Sequence, residues 1–422
     1  MSSTGPDLDA LAGRVVARLL QQAHLVGPEE IAACVAAASR PLGVTGARIY
    51  LADLQQRNLR PVPAGQAGRR VLAVDGTLAG LAYRTVTICY AAAGGGAGGA
   101  GWQAWLPLIG GTERLGVLEL DCAEVSEPML ARYRTIASVT GLVVASKTLF
   151  SDTLAAGRRT GEMALQAELV WGFLVPRTFA TERVLVAAML EPAYQVGGDA
   201  FDYALTGDRL HVSIFDGVGH DLDAGLIASV GLASCRRTRR AGGTLAEMAS
   251  QADDAIARHF GDSRFLTALL GELDVTTGEF SWIPCGHPPP LLIRDSKVIK
   301  ELARRPRLPL GLGSLESISG SRERTKDAAW LYTERLQPGD RLLLYTDGIT
   351  EGRSADGTPF GVERLSDFVI RHSNAGISAH ETLRRLNHAI VEYQNDRLID
   401  DATIVLVEWM PDRPERLMIS FG

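Results

Sequence analysis

The pattern of apolar and polar positions divides the chain into two stretches of different character. Up to about residue 150, helical spacing encloses a few strand-like runs. Ile31 to Ser39 is Ala-rich and reads as a helix that ends near Pro41, whose ring cannot continue it. Ala47–Leu51 reads as a strand, with Asp53 in the turn that follows. Ala104–Leu108 and Leu115–Leu120 are apolar runs separated by Gly110-Gly111, a hairpin signal. Met129–Phe150 has the periodicity of a long helix, and Glu162–Trp171 continues it beyond the break at Gly157 and Gly161.

After residue 173 short β-rich runs take over, punctuated by Asp-Gly. Leu210–Phe215 is expected as a strand running into Asp216-Gly217, and Ala224–Arg236 and Leu245–Phe260 as helices. Thr267–Leu273, Glu279–Ile283 and Leu291–Arg294 read as successive strands, and Arg341–Tyr345 as another that leads to Asp347-Gly348. Val362–His372 and Ala379–Tyr393 return to helical spacing before a last strand, Ala402–Glu408. Many strands and two pairs of helices, without regular βαβ alternation, predict an α+β fold with packed sheets rather than a Rossmann fold.

Composition narrows the function classes. A chain of 422 residues has the length of two or three domains, and 46% hydrophobic with 22% charged residues argues against disorder. The balance of 43 Lys and Arg against 49 Asp and Glu gives a net charge of −6, no broad reason to bind nucleic acid or an anionic membrane. The basic runs Arg236, Arg237, Arg239, Arg240 and Arg304, Arg305, Arg307 read as solvated faces or loop edges. Five scattered cysteines without a CxxC pair fit a reducing compartment and exclude a thiolate zinc site or a disulfide framework. The first residues lack the apolar core of a signal peptide. The charge-free stretch Thr85–Thr112 is interrupted by the glycine-rich run from Gly94 to Gly101, so it reads as a loop and not as a membrane span. A soluble, cytoplasmic protein is expected.

Candidate chemistry lies in the C-terminal stretch, where acidic clusters sit at strand ends: Gly197-Gly198-Asp199 with Asp202, Asp216-Gly217, Asp347-Gly348 and Asp400-Asp401. Carboxylates gathered this way, with few cysteines or paired histidines nearby, suit hard divalent cations such as Mg²⁺ or Mn²⁺. Two such ions about 3.5–4 Å apart can hold a phosphate and activate a water for in-line attack. Any one Asp-Gly alone is a common turn, and Asp356-Gly357 and Gly207-Asp208 read as no more than that.

The ordered set of motifs resembles the metal-dependent serine/threonine protein phosphatases of type 2C, in the bacterial SpoIIE/RsbU branch. It consists of VGGDAFD (196–202), FDGVGHD (215–221), FLTALLGELD (265–274), CGHPPPLL (285–292), LPLGL (308–312), YTDGITE (345–351) and DDATIVLV (400–407). The resemblance implies an α-β-β-α sandwich over residues 173–410 that binds two divalent cations, Mn²⁺ or Mg²⁺. It implies that Asp216 bridges both metals, the Gly217 carbonyl binds the first, and Asp347 and Asp400 ligate the second. Asp199 would hold metal-bound waters or a metal directly, and Asp202 would support water or a further ion. Asp401 is expected to cap the loop, His287 to stabilise its turn, and His220 to be the imidazole nearest the Asp216 loop. The phosphate-gripping Arg and the His after Asp-Gly of eukaryotic members are missing here: Val218 follows Gly217, which leaves the general acid unnamed.

The N-terminal third, residues 15–148, is similar to a GAF sensory domain through its element order and the LPLIGGTERLGVLEL segment, with Cys89 read as a structural thiol. Residues 149–172 are expected as a helical linker that transmits a small-molecule or protein signal and offers a homodimer contact. The implied activity is hydrolysis of phosphoserine or phosphothreonine by metal-activated water, on a phosphorylated anti-sigma-factor antagonist in a partner-switching pathway. The alternatives are a catalytically silent phosphatase-like docking module and a GAF sensor carrying the C-terminal part as scaffold. Gly197–Phe201 also has a superficial likeness to the GGDEF signature of diguanylate cyclases, but Ala200 replaces its acidic residue.

Overall fold

The computed structural model describes residues 5–63, 70–93, 101–219, 221–261, 264–313, 330–395, 398 and 400–411. The chain separates into two units between Gly161 and Glu162.

The first unit is built on a six-stranded antiparallel sheet. Its strands are β1 (Val44–Ala52), β2 (Asn58–Val62), β3 (Leu72–Ala73), β4 (Cys89–Ala92), β5 (Trp102–Gly110) and β6 (Glu113–Cys122), in the order β3-β2-β1-β6-β5-β4. Strand alternation gives the sheet two cores. Ile49, Leu51, Leu106, Leu108, Leu118 and Leu120 pack against helices α1 (Gly5–Ala23), α2 (Ile31–Ser39) and α4 (Glu127–Thr148). Tyr50, Ala52 and Val117 point the other way, onto Ala79, Ala82 and Tyr83 of α3 (Leu78–Thr85). The Gly110-Gly111 hairpin forms as expected, with Gly111 at φ 64°. Asp53 closes the β1–β2 turn by accepting the backbone N–H groups of Arg57 and Asn58 at 2.8 and 3.1 Å. A sheet with helices packed on it is compatible with the GAF-like expectation for this unit. Cys89 is half-buried on the edge strand β4, and burial pushes its thiol pKa up. Residues 94–100 of the glycine-rich run lie outside the described residues, while β4 and β5 flank it. No helix among the described residues is long and apolar enough to cross a membrane.

The long helix expected over Met129–Phe150 and the helical run expected at Glu162–Trp171 both form, but the chain is interrupted earlier than Gly157, so the stretch is not one continuous helix. Three helices occupy that stretch: α4 ends at Thr148, α5 covers Asp152–Gly157, and α6 covers Leu165–Phe173. Ser151 takes an extended conformation (φ −124°, ψ 108°) and its hydroxyl accepts the Leu154 N–H, so a new helix starts there. The division between the units falls after α5, so α5 belongs to the first and α6 to the second.

The second unit stacks two antiparallel sheets. One contains β9 (Asp199–Thr206), β10 (Arg209–Gly217), β11 (Leu266–Asp274), β12 (Glu279–Cys285) and β15 (Tyr332–Arg335), in the order β15-β12-β11-β10-β9. The other contains β7 (Thr178–Ala180), β8 (Val184–Glu191), β13 (Leu291–Arg294), β14 (Lys297–Glu301), β16 (Arg341–Tyr345) and β17 (Ala402–Trp409), in the order β14-β13-β16-β17-β8-β7. Period two again sorts the side chains. Leu342, Leu344, Val405 and Val407 join the core shared with the first sheet, whereas Leu343, Tyr345, Ile404 and Leu406 join the core of helices α10 (Gly361–Asn374) and α11 (Ala379–Tyr393). Helices α7 (Leu222–Arg240) and α8 (Leu245–Phe260) bury Ile227, Leu232, Met248 and Ile256 in the core of the first sheet. The layers are therefore helix, sheet, sheet, helix, as the α-β-β-α expectation has it. A short helix, α9 (Asp347–Thr350), follows β16.

Candidate metal centre

The acidic clusters converge where the two sheets present their strand ends. Asp199, at the start of β9, pairs in register with Asp216, near the end of β10. Both lie on the strand face that meets the second sheet, which contributes Asp347 after β16 and Asp400-Asp401 before β17. Gly198 and Gly348 permit the close approach: a Cβ on Gly198 would stand 2.2 Å from the Gly217 carbonyl oxygen, and one on Gly348 would stand 1.9 Å from that of Asp401.

Asp199 is buried and pinned from the opposite sheet. Its Oδ2 accepts hydrogen bonds from the hydroxyls of Thr346 at 2.8 Å and Thr403 at 2.7 Å. Asp401 caps the preceding loop, as expected: one carboxylate oxygen accepts the N–H groups of Gly197, Gly198 and Asp199 at 2.7, 2.8 and 3.2 Å. Asp216 and Asp347 are half-buried and Asp400 is exposed at the rim.

The carboxylates raise one another's proton affinity. Asp216 is pushed up to about 7, first by burial and then by the charges of Asp347, Asp400 and Asp401. Burial, followed by the charges of Asp216 and Asp401, holds Asp199 well above the usual carboxylate range. Burial and the neighbouring Asp400 and Glu351 raise Asp347. Asp401 rises to about 6, where burial outweighs its three N–H donors. Negative charge concentrated on hard oxygen donors suits a divalent cation. Among the described residues, however, no three His, Cys, Asp or Glu side chains draw together into a ready coordination shell.

Asp202 stands elsewhere. It points from β9 to the helix side and is gripped by Arg236 (Nε 3.0 Å, Nη2 2.6 Å) and Arg239 (Nη1 2.7 Å) of α7. A supporting role for water or an ion is therefore replaced by a buried ion pair, and the run read as a solvated face supplies both cations. His287 is buried, its Nδ1 lies 2.9 Å from the Thr267 hydroxyl, and burial drops its pKa to about 3, consistent with a structural imidazole. His220 lies outside the described residues. Gly207-Asp208 and Asp356-Gly357 are turns, the former joining β9 to β10. Sequence reading missed Thr346 and Thr403, although both sit inside quoted motifs beside the acidic residues. It also missed Arg264, which donates to the Val218 carbonyl at 3.3 Å and pairs with Asp221 at 2.8 Å.

Residues 206–410 match the family model described as Stage II sporulation protein E (SpoIIE). This segment is a SpoIIE-family domain. The GGD loop with Asp199 lies just before the matched residues, and Asp216, Asp347, Asp400 and Asp401 lie within them. Beyond the SpoIIE match, the chain is 24% identical over 289 residues to Protein IcfG of Synechocystis sp., covering 62% of this chain and 43% of that protein. It is 20% identical over 249 residues to Phosphoserine phosphatase RsbU of Bacillus subtilis, covering 58% of this chain and 69% of that protein. Among solved structures, the RsbU and RsbW domains of a Mycobacterium tuberculosis protein align at 25% identity and a TM-score of 0.44, over 54% of this chain and 62% of that one. The SiaA-PP2C domain of Pseudomonas aeruginosa aligns at 21% and 0.43, over 53% and 85%.

Proposed function

We propose that this chain is a metal-dependent protein serine/threonine phosphatase. Its substrate in this reading is a phosphorylated anti-sigma-factor antagonist-like protein in a partner-switching pathway, and the N-terminal unit governs its rate. The observation that carries the reading is the convergence of Asp199, Asp216, Asp347 and Asp400 at the meeting ends of two sheets in a SpoIIE-family domain. The name of the RsbU relative, a phosphoserine phosphatase, supports the substrate class.

Asp216, Asp347 and Asp400, with Asp199 behind them and the Gly217 carbonyl beside them, would hold two divalent cations, Mn²⁺ or Mg²⁺. Bound there, such cations lower the pKa of a coordinated water and offset charge developing on phosphoryl oxygens. The protein's own contribution is positioning. Thr346 and Thr403 fix the orientation of Asp199, Asp401 fixes the loop before it, and the β9–β10 pairing sets Asp199 opposite Asp216. The half-buried Asp216 and the exposed Asp400 leave the site open on one side to a phosphorylated side chain.

The test is hydrolysis of p-nitrophenyl phosphate and of a phosphoserine peptide with Mn²⁺ or Mg²⁺, with and without EDTA, beside an Asp347→Ala variant. Turnover that needs the cation and drops at least about 100-fold in the variant is expected, since the residue would act on the cation that does the chemistry. Absence of both turnover and cation binding would overturn the reading in favour of a docking module. Removal of residues 1–161 is expected to change the rate; an unchanged rate and cation affinity would remove the regulatory part.

A further inference from the structure

The strand-and-loop stretch 294–307 has a charge opposite to that of the whole chain. It carries Arg294, Lys297, Lys300, Arg304, Arg305 and Arg307 against Asp295 and Glu301, a local excess of four positive charges in a chain of net −6. Three of these cations are spoken for. Arg294 pairs with Asp340 at 2.7 Å, Lys300 with Glu334 at 2.7 Å, and Arg307 with Asp253 at 3.6 Å. Arg304 and Arg305 are exposed, and among the described residues neither head meets a carboxylate.

Both are nonetheless held in place. The Arg304 guanidinium lies over the Tyr332 ring at 5.9 Å, and that of Arg305 over the Trp330 ring at 5.4 Å. The Tyr332 hydroxyl donates to the Arg305 carbonyl at 3.1 Å, tying the aromatic edge strand β15 to this segment. Arg304 Nη1 also donates to the Ala303 carbonyl at 3.1 Å, and cations stacked on rings that meet no carboxylate among the described residues keep their charge for an outside anion. Their side-chain entropy is partly spent before anything binds.

The segment also leads to the acidic site. The Arg307 N–H donates to the Pro284 carbonyl at 3.0 Å, Leu310 bridges Leu266, and Leu266 pairs with Gly217 beside Asp216. From Arg305 to Leu310 an extended chain spans at most about 17 Å. Two strand spacings of about 4.8 Å then separate Leu310 from Gly217. A peptide with its phosphorylated residue at the carboxylates would therefore reach the arginines roughly five to eight residues away.

We infer that Arg304 and Arg305, stacked on Tyr332 and Trp330, are the docking surface for an acidic segment of the protein substrate. The inference rests on the phosphatase reading for its substrate, while the docking contact is separate from the chemistry.

The experiment titrates the full chain, in EDTA at low salt, into two fluorescein-labelled phosphoserine peptides read by anisotropy. One carries Asp and Glu five to eight residues on either side of the phosphoserine, and the other carries Ser and Gly there. The acidic peptide is expected to bind about fivefold tighter, the effect of two modest surface ion pairs. That gap should close in Arg304→Ala/Arg305→Ala, persist in Arg304→Lys/Arg305→Lys, and shrink with added salt. Equal affinities in the wild type, or a gap that survives the alanine pair, overturns the inference. With Mn²⁺, turnover of p-nitrophenyl phosphate by the alanine pair should equal wild type. A binding gap in a protein without any turnover would sink the phosphatase reading and keep the docking surface.

Discussion

The Asp401 carboxylate, by accepting three consecutive N–H groups through one oxygen, fixes the loop that delivers Asp199 to the sheet edge. Gly198 in that loop has no room for a side chain against Gly217. Gly198→Ala is expected to cost about 1–3 kcal/mol through forced displacement of backbone, read as a lowered denaturation midpoint together with lost cation binding. Wild-type stability in that variant would refute the close packing. Asp216 gives a pH signature with a definite sign. Its pKa of about 7 in the cation-free fold lies above the ordinary aspartate value of 3.8, so between these values the folded state holds a proton that the unfolded state releases. Its contribution is therefore complete at acid pH and lost as pH rises through 7. In EDTA the melting temperature should fall from pH 5.5 to pH 8, and Mn²⁺ should stabilise more at pH 8, where no proton competes for the carboxylates. A Mn²⁺ shift that is equal at both pH values would contradict this account. The acidic motifs were legible because each is written contiguously along the chain. Thr346 and Thr403 were not, because their value lies in meeting one Asp199 oxygen from a different sheet.

At the scale of elements, α7 shows how a charge run misleads. Read alone, Arg236–Arg240 resembles a solvated edge, yet Arg236 and Arg239 clamp the buried Asp202 of β9. Removing that carboxylate strands two cations against the sheet. Asp202→Ala should therefore cost about 3–5 kcal/mol by chemical denaturation, since it breaks a buried pair. Cation affinity and stoichiometry per folded molecule should stay at wild-type values, because Asp202 faces the helices and not the site. A selective loss of cation binding would restore Asp202 to the metal centre. Strands β10–β13, β16 and β17 were readable, since an apolar run bounded by turn residues admits few alternatives, whereas β7, β8, β9, β14 and β15 were not read as strands. Which of two cores each residue joins followed from alternation only once the layers were known.

At the scale of the molecule, the two units have separate cores and meet in sequence between Gly161 and Glu162. The second unit, produced as Glu162–Leu417, is expected to unfold in one cooperative transition by circular dichroism; a broad, non-cooperative melt would show that it depends on the first unit. The sequence by itself determined the α+β class, six of the eleven described strands of the second unit (β10–β13, β16 and β17) with its two helix pairs, and the acidic residues at its strand ends. Those features are local, set by periodicity, turn chemistry and residue type within a few positions. Only the tertiary structure decided that Asp199 faces Thr346 and Thr403, that Asp202 belongs to α7, that a separate short helix starts at Ser151 between the two expected helical runs, and that Arg304 and Arg305 rest on aromatic rings. Each of these depends on groups far apart in sequence competing for one partner, and that competition is settled by packing and burial.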